Sequence, residues 1–228
     1  MAGYAHVAID GPAGSGKTTV ARSLARKLGI LNLDTGAMYR ALALAALRNG
    51  APVDDEAALL RLAEAYPIRV ALDRGSAEGF RVFAGDDDVG DELYSNEVST
   101  VVSTVAAHPG VRSLMVERQR AIARDGPVVM AGRDIGTIVL PDAPVKVYLT
   151  ASLDERVKRR LAELAEHGTV LDREELKRQM AERDRLDESR PVAPLRPAEG
   201  ALLIDSTSLT VEEVTDRIAA AVEAAAGP

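Results

Sequence analysis

The residues Gly11-Pro12-Ala13-Gly14-Ser15-Gly16-Lys17-Thr18 follow the spacing G-x-x-x-x-G-K-[ST]. Glycines at these intervals let the backbone curl so that successive N–H groups face phosphate oxygens. The helix that opens at Lys17 adds the partial positive charge of its N-terminus. A lysine at the end of such a loop reaches terminal phosphates, and the hydroxyl of Thr18 is a ligand for Mg²⁺. The chemistry indicated is binding of a nucleoside triphosphate. A dinucleotide loop is excluded, because G-x-G-x-x-G fails where Gly14 and Gly16 are followed by Thr19. A guanine-reading N-K-x-D is absent, and Asp87-Asp88-Val89-Gly90 reads as a surface turn.

Three further stretches concentrate arginine with acids. They are Asp34-Thr35-Gly36-Ala37-Met38-Tyr39-Arg40, Ala131-Gly132-Arg133-Asp134-Ile135-Gly136-Thr137, and Arg183-Asp184-Arg185-Leu186-Asp187-Glu188-Ser189-Arg190. Arginine grips phosphate oxygens with a planar fork and stays charged at neutral pH. The elements that must position these residues follow from periodicity. Tyr4–Ile9, Pro127–Ala131, Val145–Leu149 and Leu202–Ile204 read as short buried strands. Helices are expected over Lys17–Leu28, Gly36–Arg48, Glu56–Ala65, Asn96–Ala107, Val111–Arg124, Leu153–His167, Arg173–Glu188 and Val211–Ala225. Gly29 stops the first and Thr210 caps the last, while Pro109 and Gly110 are read as a break. Strands alternating with helices imply an α/β fold with a central parallel sheet. Ile68–Leu72 and Phe80–Phe83 interrupt that rhythm as a hairpin-like insertion within 66–90.

The 228 residues carry a net charge of −7 and are 46% hydrophobic, which suits one globular domain with a sizeable core. Residues 51–100 hold 12 acids against 4 bases, more than the whole net charge. An acidic chain is a poor general binder of nucleic acid. There is no cysteine, which excludes disulfides, thiolate nucleophiles and Cys-type zinc sites. His6, His108 and His167 lie far apart in sequence and read as structural or surface residues. The start of the chain does not read as a signal peptide, and the longest apolar run, Ala41–Leu47, is too short to span a bilayer. A cytoplasmic chain with no membrane partner is expected. Nothing resembling a coiled coil demands a dimer, so a monomer is expected.

Taken in order, these segments resemble the bacterial cytidylate kinases, a family of P-loop nucleoside monophosphate kinases. The resemblance covers nearly the whole chain. It runs through D-T-G-A-M-Y-R at 34–40, Ser103–Arg112, G-R-D-I-G-T at 132–137, P-D-A-P-V-K at 141–146, R-D-x-x-D-x-x-R at 183–190 and Asp205-Ser206-Thr207. It implies a P-loop NTPase fold with a core of about 1–35, 108–151 and 191–228. A monophosphate-binding region of about 36–107 would hold the β-insertion, and a helical lid would span about 152–190. It implies transfer of the γ-phosphoryl group of ATP to CMP and dCMP with Mg²⁺, the partners being small nucleotides. The loop from Gly11 to Thr19 would bind ATP.

The same resemblance assigns Arg40, Arg133 and Arg190 to the acceptor phosphate and Arg183 to the transferring group. Lys17, Arg133 and Arg183 are then the catalytic set. Asp134 and Ser103 would accept from the cytosine amino group and Arg112 would donate to its ring acceptors. Asp187 would meet a sugar hydroxyl, and Thr35 would touch the acceptor nucleotide. Blander readings stand beside several of these. Arg40 and Arg112 fit solvated helix charges, Asp134 fits a helix cap, and Arg156 and Arg160 are either lid contacts to ATP or, with Lys158 and Arg159, a solvated basic face. The acid often found before G-R-D is Ala131 here, and Thr18 stands where many relatives carry Gly or Ser. The alternatives in function are a P-loop kinase for another monophosphate or metabolite, and a nucleotide-binding regulatory module without transfer activity.

Overall fold

The computed structural model describes residues 6–73, 75–76, 79–166 and 170–227. His167 and residues Tyr4 and Ala5 of the first expected strand lie outside them. The chain divides into two units, Met1–Gly29 with Val129–Pro228, and Ile30–Val128.

In the first unit, strand β1 (Val7–Asp10) is buried along its whole length. It runs parallel to β6 (Val128–Gly132), with Val7 opposite Val129 and Asp10 opposite Gly132. On its other side it runs parallel to β7 (Val145–Thr150), and β8 (Leu202–Asp205) extends the parallel order beyond β7. Such strands need cover on both faces, which explains their near-continuous apolar runs. Helix α1 (Lys17–Leu28) buries Val20, Ala21, Leu24, Ala25 and Leu28 and packs against α8 (Val211–Ala226). Its C-terminus closes on Gly29 at φ 68°, the left-handed conformation that glycine adopts without steric cost. Thr210 and Glu213 form a reciprocal capping box at the start of α8. Helices α6 (Leu153–Glu166) and α7 (Arg173–Ser189) pack on each other around Val157, Leu164, Leu176 and Met180.

The second unit opens with β2 (Leu31–Asp34) and α2 (Thr35–Arg48), which the Asp34 carboxylate caps by accepting from the Gly36 N–H at 2.9 Å. Helix α2 is the hub of this unit. Its Ala41–Ala46 stretch is buried on every side, as expected of a helix apolar all round. Around it stand α3 (Glu56–Ala65), α4 (Asn96–Ala107) and α5 (Pro109–Arg124). Met38, Leu42, Leu59, Leu93 and Met115 fill the core. The insertion is an antiparallel sheet in the order β3 (Ile68–Leu72), β4 (Phe80–Ala84), β5 (Asp87–Asp88).

Two expectations need correction. Pro109 and Gly110 are not a break between helices but the first turn of α5. Proline is tolerated at that position, where its missing N–H would have no helical partner. Asp87-Asp88 pairs with β4 as a short strand rather than forming only a turn. No helix among the described residues is long and apolar enough to cross a membrane.

Candidate active site

The phosphate loop bridges the end of β1 and the start of α1. A methyl group on Gly11 would stand 1.9 Å from the Leu149 carbonyl oxygen, so the loop can approach β7 only with glycine there. Gly16, at φ 90°, caps α1. Lys17 is 7% exposed, and its ammonium donates to the Pro12 carbonyl at 2.6 Å and to Ser15 Oγ at 3.3 Å. Thr18 is half-buried beside it and Thr19 is exposed.

The arginines of α6 divide by environment. Arg156 is buried and is not part of a solvated face. It donates to the Ala13 carbonyl of the loop at 3.1 Å and pairs with Asp184 of α7 at 2.7 Å. Arg159 also faces inward, donating to the Ser206 carbonyl at 2.6 Å and to Ser206 Oγ at 3.0 Å. Arg160 pairs with Glu163 at 2.8 Å. Lys158 alone of the four matches the solvated reading, with its side chain 73% exposed.

A second cluster lies at the end of α7. Arg133 Nε donates to Asp187 at 2.8 Å, and Arg190 approaches the same carboxylate at 3.8 Å. Burial pushes the Asp187 carboxyl up, but Arg133, Arg183 and Arg190 together outweigh it and hold the group below the usual carboxylate range. Three guanidinium groups gather on this one carboxylate, and their planar forks are the donor type that grips phosphate oxygens. Asp134 is buried next to Arg133. Its side chain does not cap the π-helical turn Ile135–Val139 that follows, so the helix-cap reading fails.

Within the second unit, Arg40 and Arg112 are also buried, at 9% and 4% exposure. Arg40 donates to the Leu93 carbonyl at 3.1 Å and to Ser99 Oγ at 2.9 Å, and lies over the Tyr94 ring. Arg112 donates to the Ala106 carbonyl at 3.1 Å and lies over the Tyr39 ring. Neither is a solvated helix charge. Ser103 is half-buried on α4, and Thr35 is buried in the first turn of α2. His6 is half-buried, and His108 Nε2 lies 2.9 Å from the Val53 carbonyl. No group of three His, Cys, Asp or Glu among the described residues is arranged to hold a metal ion.

Sequence reasoning missed Asp10, although an acid ending an otherwise apolar strand was a visible signal. Asp10 is 2% exposed, and its carboxylate accepts from the Ile135 N–H at 2.7 Å and the Gly136 N–H at 2.8 Å. Burial is the main cause that pushes it up from the ordinary 3.8 to about 6. The Gly136 and Ile135 amides and Lys17 act against it, and Asp134 acts with it. The folded chain therefore holds this proton more tightly than the unfolded chain. The group's contribution to stability is fully present below pH 3.8 and is lost as pH rises through about 6. Asp10→Asn is expected to remove that dependence, worth about 3 kcal/mol. Unfolding followed by circular dichroism should show wild type losing stability relative to the variant between about pH 4 and pH 7. A constant difference would contradict the assignment.

A family model for cytidylate kinase matches residues 7–224. A cytidylate kinase of Pelotomaculum thermopropionicum is 50% identical over 225 residues, 98% of this chain and 98% of its own. A cytidylate kinase of a Geobacillus species is 52% identical over 212 residues, 93% of each chain. Among solved structures, an uncharacterized protein from Eubacterium ventriosum aligns with a TM-score of 0.51 at 15% identity, covering 97% of this chain and 99% of that one, a likeness of fold alone.

Proposed function

The chain belongs to the cytidylate kinase family, and from that premise we propose that it transfers the γ-phosphoryl group of ATP to CMP and dCMP, giving CDP or dCDP and ADP. The observation that carries the reading is the gathering of Arg133, Arg183 and Arg190 around buried Asp187, in a chain whose β1 leads into a phosphate loop. Phosphoryl transfer needs alignment and charge neutralisation more than covalent chemistry. The acceptor phosphate is largely dianionic at neutral pH, its second pKa being about 6. No general base is needed for such an acceptor.

In this reading the loop from Gly11 to Thr19 cradles the ATP phosphates. Lys17 leaves the Pro12 carbonyl to neutralise charge on the terminal phosphates. Thr18 offers a hard hydroxyl oxygen, the donor type that Mg²⁺ takes while keeping phosphate oxygens and water as its other ligands. The ion would neutralise charge on the phosphates. Arg133, Arg190 and Arg40 hold the acceptor phosphate, and Arg183 serves the transferring group. Helices α6 and α7 act as the lid over about 152–190, with Arg156 and Arg160 as its ATP-side arginines, and about 36–107 forms the monophosphate-binding region. Asp187 and Thr35 position the acceptor nucleotide. Asp134 and Ser103 accept from the cytosine amino group while Arg112 donates to the ring. The chain works as a cytoplasmic monomer on small nucleotides, and its acidic charge keeps it off nucleic acid.

The deciding assay supplies ATP with CMP, dCMP, UMP, AMP and dTMP in parallel and follows ADP release. CMP and dCMP are expected to turn over fastest. Faster turnover of AMP, UMP or dTMP would replace the assignment, and ATP binding without transfer to any of them would favour a regulatory module. Asp134→Ala should cut kcat/KM for CMP by about 100-fold, because the buried amino group of the base then lacks its acceptor. Its melting temperature should change little, and unchanged CMP kinetics would reject base reading by Asp134.

A further inference from the structure

We infer that Asp10 is a positioning residue for acceptor recognition: it holds the backbone that carries Arg133 and Asp134, an inference that rests on the function proposed above. The register sets the geometry. Asp10 stands opposite Gly132 at the ends of two parallel strands, so its carboxylate leaves β1 at the level where the Arg133-Asp134 segment leaves β6. Its two oxygens take separate partners, Oδ1 the Ile135 N–H at 2.7 Å and Oδ2 the Gly136 N–H at 2.8 Å. These amides open the π-helical turn Ile135–Val139, where backbone donors have no partner inside the turn. The carboxylate thus fixes the turn immediately after Asp134 by two bonds.

Burial makes this costly. Valine or alanine would suit the apolar strand Val7–Asp10, whereas a buried carboxylate is desolvated. The acid satisfies two buried donors that an apolar residue would leave unpaired. Gly136 completes the fit, since a methyl there would stand 3.2 Å from Ala198 Cβ and 3.4 Å from Asp10 Oδ2. With both oxygens taken by backbone amides, Asp10 acts through Arg133 and Asp134 rather than on the nucleotide itself.

The test compares wild type, Asp10→Asn, Asp134→Ala and the double variant. Asparagine keeps the size but offers one acceptor oxygen and turns an NH2 toward the second amide. The expected result is a 10- to 100-fold fall in kcat/KM for CMP, with KM for ATP within about twofold, as expected when only the acceptor side is disturbed. Preference for CMP over UMP should fall about tenfold or more. In the Asp134→Ala background, Asp10→Asn should change that preference little, because its effect passes through Asp134. Gly136→Ala, which crowds the anchor from the other side, should give the same split if Asp10→Asn does not fold. A variant that melts lower yet keeps the wild-type CMP KM and the CMP-over-UMP ratio would overturn the proposal, as would equal losses toward ATP and CMP. Amide hydrogen exchange at Ile135 and Gly136 separates this failure from failure of the proposed function. If wild type phosphorylates no CMP, faster exchange in Asp10→Asn still establishes the anchor, and unchanged exchange removes it.

Discussion

Lys17→Ala is expected to lower kcat by about 10³-fold, the loss typical of removing one preorganised group from a developing charge. The ammonium sits almost buried in the loop, bonded to Pro12 and Ser15. Its ordering is therefore supplied by the fold before any nucleotide arrives. Loss of the side chain leaves the glycines and the α1 N-terminus in place, so ATP should still bind, with KM rising less than kcat falls. Lys17→Arg should not rescue the rate, because a planar fork cannot replace a compact ammonium in that space. Rapid-quench measurement of CDP formation at saturating substrates is the check. A rate within tenfold of wild type would remove Lys17 from the transfer step.

Arg133→Ala is expected to act on two quantities at once. Acceptor use should fall by about 10²- to 10³-fold in kcat/KM, as a charge-assisted contact to phosphate is lost. Stability should fall by about 3 kcal/mol, the low end for breaking a buried ion pair, because Arg190 and Arg183 still face Asp187. The pairing with Asp187 is what links the two effects. Arg133→Ala combined with Asp187→Asn should regain much of the stability and none of the activity, which denaturant titration beside steady-state kinetics would show. Loss of stability without loss of acceptor use would reduce Arg133 to a structural partner of Asp187.

The phosphate loop was legible because its chemistry is local. Nine consecutive residues carry it, and the apolar spacing from Val20 to Leu28 with Gly29 behind it marks the helix it needs. Helices α2, α3 and α4 were legible within a residue at either end for the same reason. Strand β2 was missed because polar Asn32 splits Leu31 from Leu33, so Leu31–Asp34 lacks an unbroken apolar run. The environments of Arg40 and Arg112 were harder still. Sequence shows two basic helix positions, but their burial depends on Tyr94 and Leu93, far along the chain from Arg40, and on Tyr39, far from Arg112. Asp10 was visible as an oddity, yet its partners lie 125 and 126 positions away. What periodicity cannot reveal is long-range pairing of polar groups, and that is where these sites are built.

The strand pairing of β1 also has a consequence for how the chain is made. Among the described residues β1 pairs with β6 and β7, and Val7 meets Val129. At about 5–20 residues per second of synthesis, β1 therefore waits about 6–25 seconds for its first neighbour to be translated. The stretch Ile30–Val128 makes its own core within one continuous run of sequence and has no such delay. On the ribosome, α2 and its surrounding helices can gather while the phosphate loop is still attached to an unpaired apolar strand. The vulnerable interval in the life of this protein is thus its synthesis, when Val7–Ile9 is an exposed edge awaiting a partner.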